Sequence, residues 1–268
     1  MEKVIFNKFD SVEQFSNWLQ STPQTAKGKE FNSSNEINSW ATEFTGTQSF
    51  EEAQNLLKCG DKVNADKIAA TIRKIKAQGK GNATRNSLYN SPCGFMPIVP
   101  KVLAGEPQNM LAIKKQTYKS TKVINIAYNV AVDCTRTAED LIETAAKVAN
   151  VIASLEKNGY RVNLYAFSCG IGKRNTAFSL LVKIKDSGKY LDTLRLAYPL
   201  VNPSFLRRHI FAYWERLKGY GLFKGYNGVI TKDYKVKEYL PINASYLSFY
   251  NCKGKTEQEI TKMIESAK

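Results

Sequence analysis

The stretch Val123-Ile124-Asn125-Ile126-Ala127-Tyr128-Asn129-Val130-Ala131-Val132 decides the fold class of this chain. It is β-branched and nearly continuous in apolar character, as a strand buried on both faces must be. Residues 138–158 then place Leu141, Ile142, Ala145, Val148, Ala149, Ile152 and Leu155 at helical spacing, giving one broad apolar face. Gly159 stops that helix, and RVNLYAF (161–167) reads as a second strand. A strand–helix–strand unit implies two parallel strands joined by a right-handed crossover. The glycine-rich turn from Ser168 to Asn175 leads to a third strand. There Phe178, Leu180, Val182 and Ile184 alternate with Ser179, Leu181, Lys183 and Lys185. That alternation fits a strand nearer the sheet edge, paired antiparallel through the turn.

Further along, a helix over about 190–198 is predicted to end before Pro199. Asn202 caps the next helix, and Pro203 sits where its missing N–H costs nothing. Leu206, Ile210, Tyr213 and Leu217 form its buried stripe, and Thr256 with Glu259 forms a capping box for a C-terminal helix. On the N-terminal side, Asp10 or Ser11 can cap a short helix over 10–20 in which Val12, Phe15, Trp18 and Leu19 share one face, and residues 21–35 read as a polar loop. Ser49 and Glu52 form a capping box for a helix that ends at Gly60; a helix over 62–77 with Ile68, Ile72 and Ile75 follows. Residues 79–94 are rich in Gly, Asn and Ser and read as a linker; Phe95 to Pro100 is predicted to be extended, with a turn at Leu103–Pro107. The expected architecture is α/β: a helical N-terminal segment (1–78), a linker or extended segment (79–114), and a domain (115–268) whose mixed, mostly parallel sheet carries helices on both faces.

The 268 residues carry a net charge of +15, unevenly placed. Residues 1–79 hold ten Lys+Arg and ten Asp+Glu, whereas residues 80–268 hold 29 and 14. The C-terminal part is therefore expected to meet an anionic partner, either nucleic acid or an acidic protein surface. No apolar run reaches the ~18–20 residues of a membrane-spanning helix. The N-terminus lacks the apolar core of a signal peptide, so a cytoplasmic location is expected. Five scattered cysteines and a single histidine form neither a disulfide framework nor a zinc-ligand pattern.

Candidate contacts follow from this charge. Lys173 and Arg174 stand at the tip of the glycine-rich turn and could touch a phosphate backbone. They are not a phosphate loop, because Arg174 stands where Ser or Thr should and a strand follows instead of a helix. Arg207 and Arg208 form the densest basic group; both cannot lie on the buried stripe, so at least one is expected to face water. The adjacent His209 reads as a satisfied, partly buried histidine. Lys224 and Lys235 interleave with tyrosines and phenylalanines over 220–250, a pattern shared by single-strand binding surfaces and by ordinary tyrosine-rich core edges. Asp133, Thr135 and Thr137 offer a carboxylate and two hydroxyls, which suits Mg²⁺, but Arg136 within the same loop opposes a cation. Thr137 is read first as a helix cap, and no cofactor is expected.

VINIAYNV (123–130), SLEKNGYRVNLY (154–165) and AYPLVNPSFLRRHIF (197–211) resemble an uncharacterised family encoded by tailed bacteriophages and related mobile elements. VPKVLAGEPQNM (99–110) and SFEEAQNLL (49–57) fit the same family, so the resemblance covers about residues 45–240. It implies a phage origin and a bacterial cytoplasm, but no activity. The order strand, helix, strand, antiparallel strand, helix is also similar to a von Willebrand factor A domain, whose metal loop would correspond to Asp133–Thr137. The function expected from sequence is a non-enzymatic module that binds nucleic acid. A protein-interaction module, carried in the virion or binding a host factor, and, more weakly, a metal-dependent enzyme or switch are the alternatives.

Overall fold

The computed structural model describes residues 4–23, 45–77, 88–113, 122–133, 136, 138–171, 177–217 and 237–266. The polar loop over 24–35, the turn with Lys173 and Arg174, the interleaved stretch with Lys224 and Lys235, and Thr135 and Thr137 lie outside the described residues.

A five-stranded sheet organises the molecule. Its strands are β1 (Val4–Phe9), β5 (Val123–Asn129), β6 (Arg161–Ile171), β7 (Ala177–Lys185) and β8 (Ser245–Ser248), in the order β1-β7-β6-β5-β8. Three of the four pairings are parallel; only β6 and β7 run antiparallel, as expected, and Ser168 to Ile171, read from sequence as part of the turn, continue β6 instead. Helix α5 (Ala138–Lys157) makes the crossover from β5 to β6, and Gly159 reverses the chain with φ 89°.

Strand β1 was not foreseen. Its VIFNKF alternates, so Phe9 enters the main core while Phe6 packs on the opposite face. It pairs in parallel along β7, from Val4 opposite Ala177 to Phe9 opposite Val182. The 79–114 boundary therefore does not separate the sheet from the N-terminal segment. The helices α2 (Phe50–Cys59) and α3 (Lys62–Ala77) are docked as well: α3 packs on α5 and on α6 (Thr193–Val201), and α2 also packs on α6. Gly60 makes that docking possible. Its φ is 91°, and a Cβ there would sit 2.6 Å from Leu194 Cγ and 2.8 Å from the Leu194 carbonyl. The neighbouring Asp61 amide donates to that same carbonyl. Asp61 accepts from the Asn64 amide at the start of α3 and from Asn202 Nδ2, so one buried carboxylate joins two helical segments.

The two faces of the sheet are covered differently. Ile124, Ile126, Val162, Leu164, Phe178, Leu180 and Val182 lie under α1 (Val12–Ser21), α2, α3, α5, α6 and α9 (Glu257–Ser266), in one continuous core. Ala127, Tyr165, Phe167, Cys169 and Leu181 face the other way, toward the short 3₁₀ turn Lys237–Tyr239 and residues 240–244. Helical cover on both faces is thus met unevenly.

Several local signals hold. Ser11 and Ser49 cap α1 and α2 through the Gln14 and Glu52 amides, and Thr256 with Glu259 forms the expected box. Glu52 reaches back to Gln48 N instead of the cap residue. Two proline readings need correction. Helix α6 continues through Pro199 to Val201, because the packing of Leu196 to Val201 in the core outweighs the one hydrogen bond that proline cannot donate, and the Arg195 carbonyl that loses it belongs to an exposed residue. Val99 and Pro100 open the short helix α4 (Val99–Leu103), where proline in the first turn lacks only a donor that has no intrahelical partner anyway. The expected linker is also more structured than a linker. Strands β2 (Leu88–Ser91), β3 (Met96–Pro97) and β4 (Met110–Ile113) form a separate antiparallel sheet in the order β2-β4-β3.

Ile152 has no solvent exposure in the core beneath α5. An Asp at that position must bury a carboxylate without a partner, at a cost of several kcal/mol against a typical total of about 5–15 kcal/mol. Ile152→Asp is expected to abolish the cooperative thermal transition followed by circular dichroism.

Candidate functional site

A cleft of about 880 Å³ opens beside the ends of β1 and β7 and the starts of α1 and α6. Its size is in the range of ligand-binding clefts. Lys58, Lys183, Lys185, Lys189, Arg195 and Tyr190 line it, together with Asp10, Glu13, Asp186 and Asp192.

The site is built on a buried cation. Lys185 is 5% exposed, and its Nζ donates to Glu156 Oε1 at 2.5 Å and to the carbonyls of Val162, Asp186 and Lys189 at 3.1, 3.2 and 3.0 Å. A buried ammonium is tolerable only when its charge is paired and its donors are used. Here two of the acceptors belong to the loop after β7, so satisfying the charge also fixes the loop. The Ser187 amide donates to Asn163 Oδ1, the Gly188 amide to Asp186 Oδ1, and the Lys189 amide to the Asp186 carbonyl. The Gly188 amide, assisted by Lys183, holds the Asp186 carboxyl below the ordinary carboxylate range. Asp192 then caps α6 by accepting from the Leu194 and Arg195 amides.

This bracing leaves Lys189 and Tyr190 outermost, and Tyr190 is 93% exposed. Lys183 lies between Asp10 and Asp186, at 3.8 and 3.3 Å, and Arg195 approaches Asp192 at 3.7 Å. Lys58 and Lys189 make no ion pair among the described residues. A cation beside an exposed ring, on a fixed loop, can hold a phosphate and stack a planar group.

With this geometry in place, the match to known families is informative. The model of a domain of unknown function, DUF7192, matches residues 1–266. The chain belongs to the DUF7192 family. The match spans more than the stretch over which the sequence resemblance was drawn. No curated protein and no solved structure matches this DUF7192 chain.

The residues named from sequence fare differently in this DUF7192 fold. Arg207 and Arg208 do not face water: they are 9% and 0% exposed. They lie in a π-helical turn, Phe205–Ile210, that is buried all round. Arg208 donates from Nε to Thr47 Oγ1 at 2.7 Å and from one terminal nitrogen to Thr45 Oγ1 and the Thr47 carbonyl. Ser204 Oγ also bonds the Thr45 carbonyl and Thr47 Oγ1, so the node ties residues 45–47 to the helix. The stripe argument failed because it assumed one wet face, whereas α2 and the preceding turn close that side. Asn202 caps as predicted, with its Oδ1 accepting from the Ser204 amide.

His209 is fully buried instead of partly buried, with Nδ1 2.9 Å from the Tyr198 hydroxyl. Burial and the nearby Arg208 charge push its pKa down to about 3, against a smaller opposing contribution from the Ser204 backbone. Asp133 is engaged by its neighbours: Tyr250 OH donates to Oδ2 at 2.6 Å, and Arg136 Nε approaches the same oxygen at 3.3 Å. Among the described residues, no group of three or more His, Cys, Asp or Glu is placed to hold a metal.

Reading the sequence missed Lys185, Lys189 and Tyr190 as site residues. The alternation of β7 put Lys185 on a wet face, but a register shift between Leu164 and Tyr165 and the Glu156 partner on α5 bring it inside. The turn signal Asp186-Ser187-Gly188 was the available clue to the loop.

Truncating Arg208 leaves Thr45, Thr47 and Ser204 to rearrange in a dry node. Arg208→Ala is expected to cost about 3–5 kcal/mol, or roughly 10 °C in a chain of this size, in a thermal melt. His209 has a second signature. Its folded pKa lies below its ordinary value of 6.5, so the unfolded chain takes up a proton first as pH falls. Its contribution is intact above pH 6.5 and is lost progressively down to about pH 3. Across that window the fall in urea-derived stability with pH should be shallower in His209→Gln than in the parent.

Proposed function

We propose that this chain is a non-enzymatic protein that binds single-stranded nucleic acid, with the braced loop after β7 as a principal contact. The observation that carries the reading is Tyr190, an almost fully exposed ring beside Lys189 at the mouth of a cleft that also holds Lys58 and Arg195. Rings that stack bases, flanked by cations for the phosphates, are what sequence-tolerant single-strand binders use. The charge distribution supports it, since residues 80–268 carry the whole excess of +15.

Lys173 and Arg174 remain candidates for further phosphate contacts, as do Lys224 and Lys235. Arg207 and Arg208 leave the set, because a buried guanidinium cannot reach a phosphate. Two features favour a reading without a metal: Asp133 Oδ2 is taken by Tyr250 and Arg136, and Arg136 adds a positive charge there. A tailed-phage or mobile-element origin, with action in a bacterial cytoplasm, belongs to the same proposal and rests on the resemblance of residues 123–130, 154–165 and 197–211. No helix among the described residues is long and apolar enough to cross a membrane, which is compatible with that location.

Fluorescence anisotropy with labelled single-stranded DNA and RNA oligonucleotides tests the proposal. Binding should weaken linearly in log K against log salt, as counterion release requires. Tyr190→Ala should lose roughly 5- to 150-fold in affinity, the equivalent of about 1–3 kcal/mol for one stacked base, with its melting temperature unchanged. Absence of binding to either oligonucleotide at low salt would remove the proposal. Retention of a partner from cells after nuclease treatment would favour an acidic protein surface instead.

A further inference from the structure

The segment from Leu88 to Ile113 has a sheet, a helix and no core. None of its residues is buried. It nevertheless holds eight of the exposed large hydrophobic residues: Leu88, Tyr89, Phe95, Met96, Val99, Val102, Leu103 and Ile113, from 45% to 83% exposed. Leu88 pairs with Ile113, and Met96 with Leu111, so one face of the small sheet is apolar apart from Asn90 on its edge strand. A three-stranded sheet of this size with no buried residue is not expected to be stable alone. It needs a cover.

We propose that the cover is a second copy of the same chain, with the β2-β4-β3 sheet and α4 of two protomers packed on each other about a two-fold axis. Charge selects this occupant. A chain of +15 repels its own copy overall, yet this segment contains one cation and one anion, Lys101 and Glu106, paired with each other at 3.1 Å. It is a stretch of surface where two such chains can meet without adding like charge. Area agrees: Tyr89 alternates onto the other face of the sheet, and the seven remaining residues, at roughly 200 Å² each and about half exposed, give roughly 700 Å², close to one partner's share of a standard interface.

Analytical ultracentrifugation of the full chain tests this. A dimer is expected, and it should tighten as salt is raised, because screening removes the repulsion between two basic chains. That is the opposite of the salt response expected for oligonucleotide binding, so the two proposals fail separately. Leu103→Glu and, independently, Phe95→Glu should each give a monomer with an unchanged melt at dilution, since both side chains already face water. A parent chain that stays monomeric at about 100 µM across the salt range would overturn the proposal, because interfaces of this area are usually tighter than that. So would a dimer that survives both substitutions.

Discussion

The rest of the structure depends on one dry contact: the apolar face of the central sheet against helices drawn from both ends of the chain. Ile126, Leu164 and Phe178 come from three different strands, and their cover comes from Phe15 and Ile68 near the N-terminus as well as from Ile152, Phe205 and Ile260. A sheet buried on that face cannot shed its N-terminal helices without wetting its core. Strand β1 makes the dependence stronger, because it closes the β7 edge with residues that precede every helix.

Against this background the basic residues divide by role. Lys185, Arg208 and Arg216 have become structural. Each is held by acceptors of the fold: Lys185 by the Glu156 carboxylate and carbonyls of the loop after β7, Arg208 by residues 45–47, and Arg216 Nε by the Leu19 and Thr22 carbonyls at the end of α1. Each ties together elements far apart in sequence, and each would be costly to strip of its partners. The remaining excess of cations therefore sits over a framework partly held by cations, and charge count alone could not tell the two groups apart. The buried Tyr198–His209 pair extends this polar seam without adding charge, since burial keeps His209 neutral and pushes the Tyr198 hydroxyl well above its ordinary pKa.

What could be read from sequence follows the range of the interaction responsible. Helix α5, strands β5 to β7, and the Ser11, Ser49 and Thr256 caps are set by periodicity or by bonds spanning three residues, and they stand where the pattern put them. Strand β1 was silent because six residues of VIFNKF become a strand only through pairing with β7, more than 170 positions away. Pro199 was misread because a local rule was applied where tertiary burial decides. The arginine pair was misread for the same reason: a helix with one apolar stripe predicts one wet face, and only the packed structure shows that Thr45 and Thr47 lie on the other side. Lys185 needed both a register shift and a partner on α5 to turn inward. Tyr190 and Lys189 carried no periodic signal at all; their significance comes from the loop that a buried charge holds still.

The central claim is that the N-terminal helices, β1 and the later sheet form one cooperative unit. Native-state hydrogen exchange measures this directly. The slowest amides of β1 and α3 should share the opening free energy of β5 and β6, and should respond together to denaturant. A substantially lower, separate opening free energy for β1 and α3, with β5 and β6 still protected, would contradict the account.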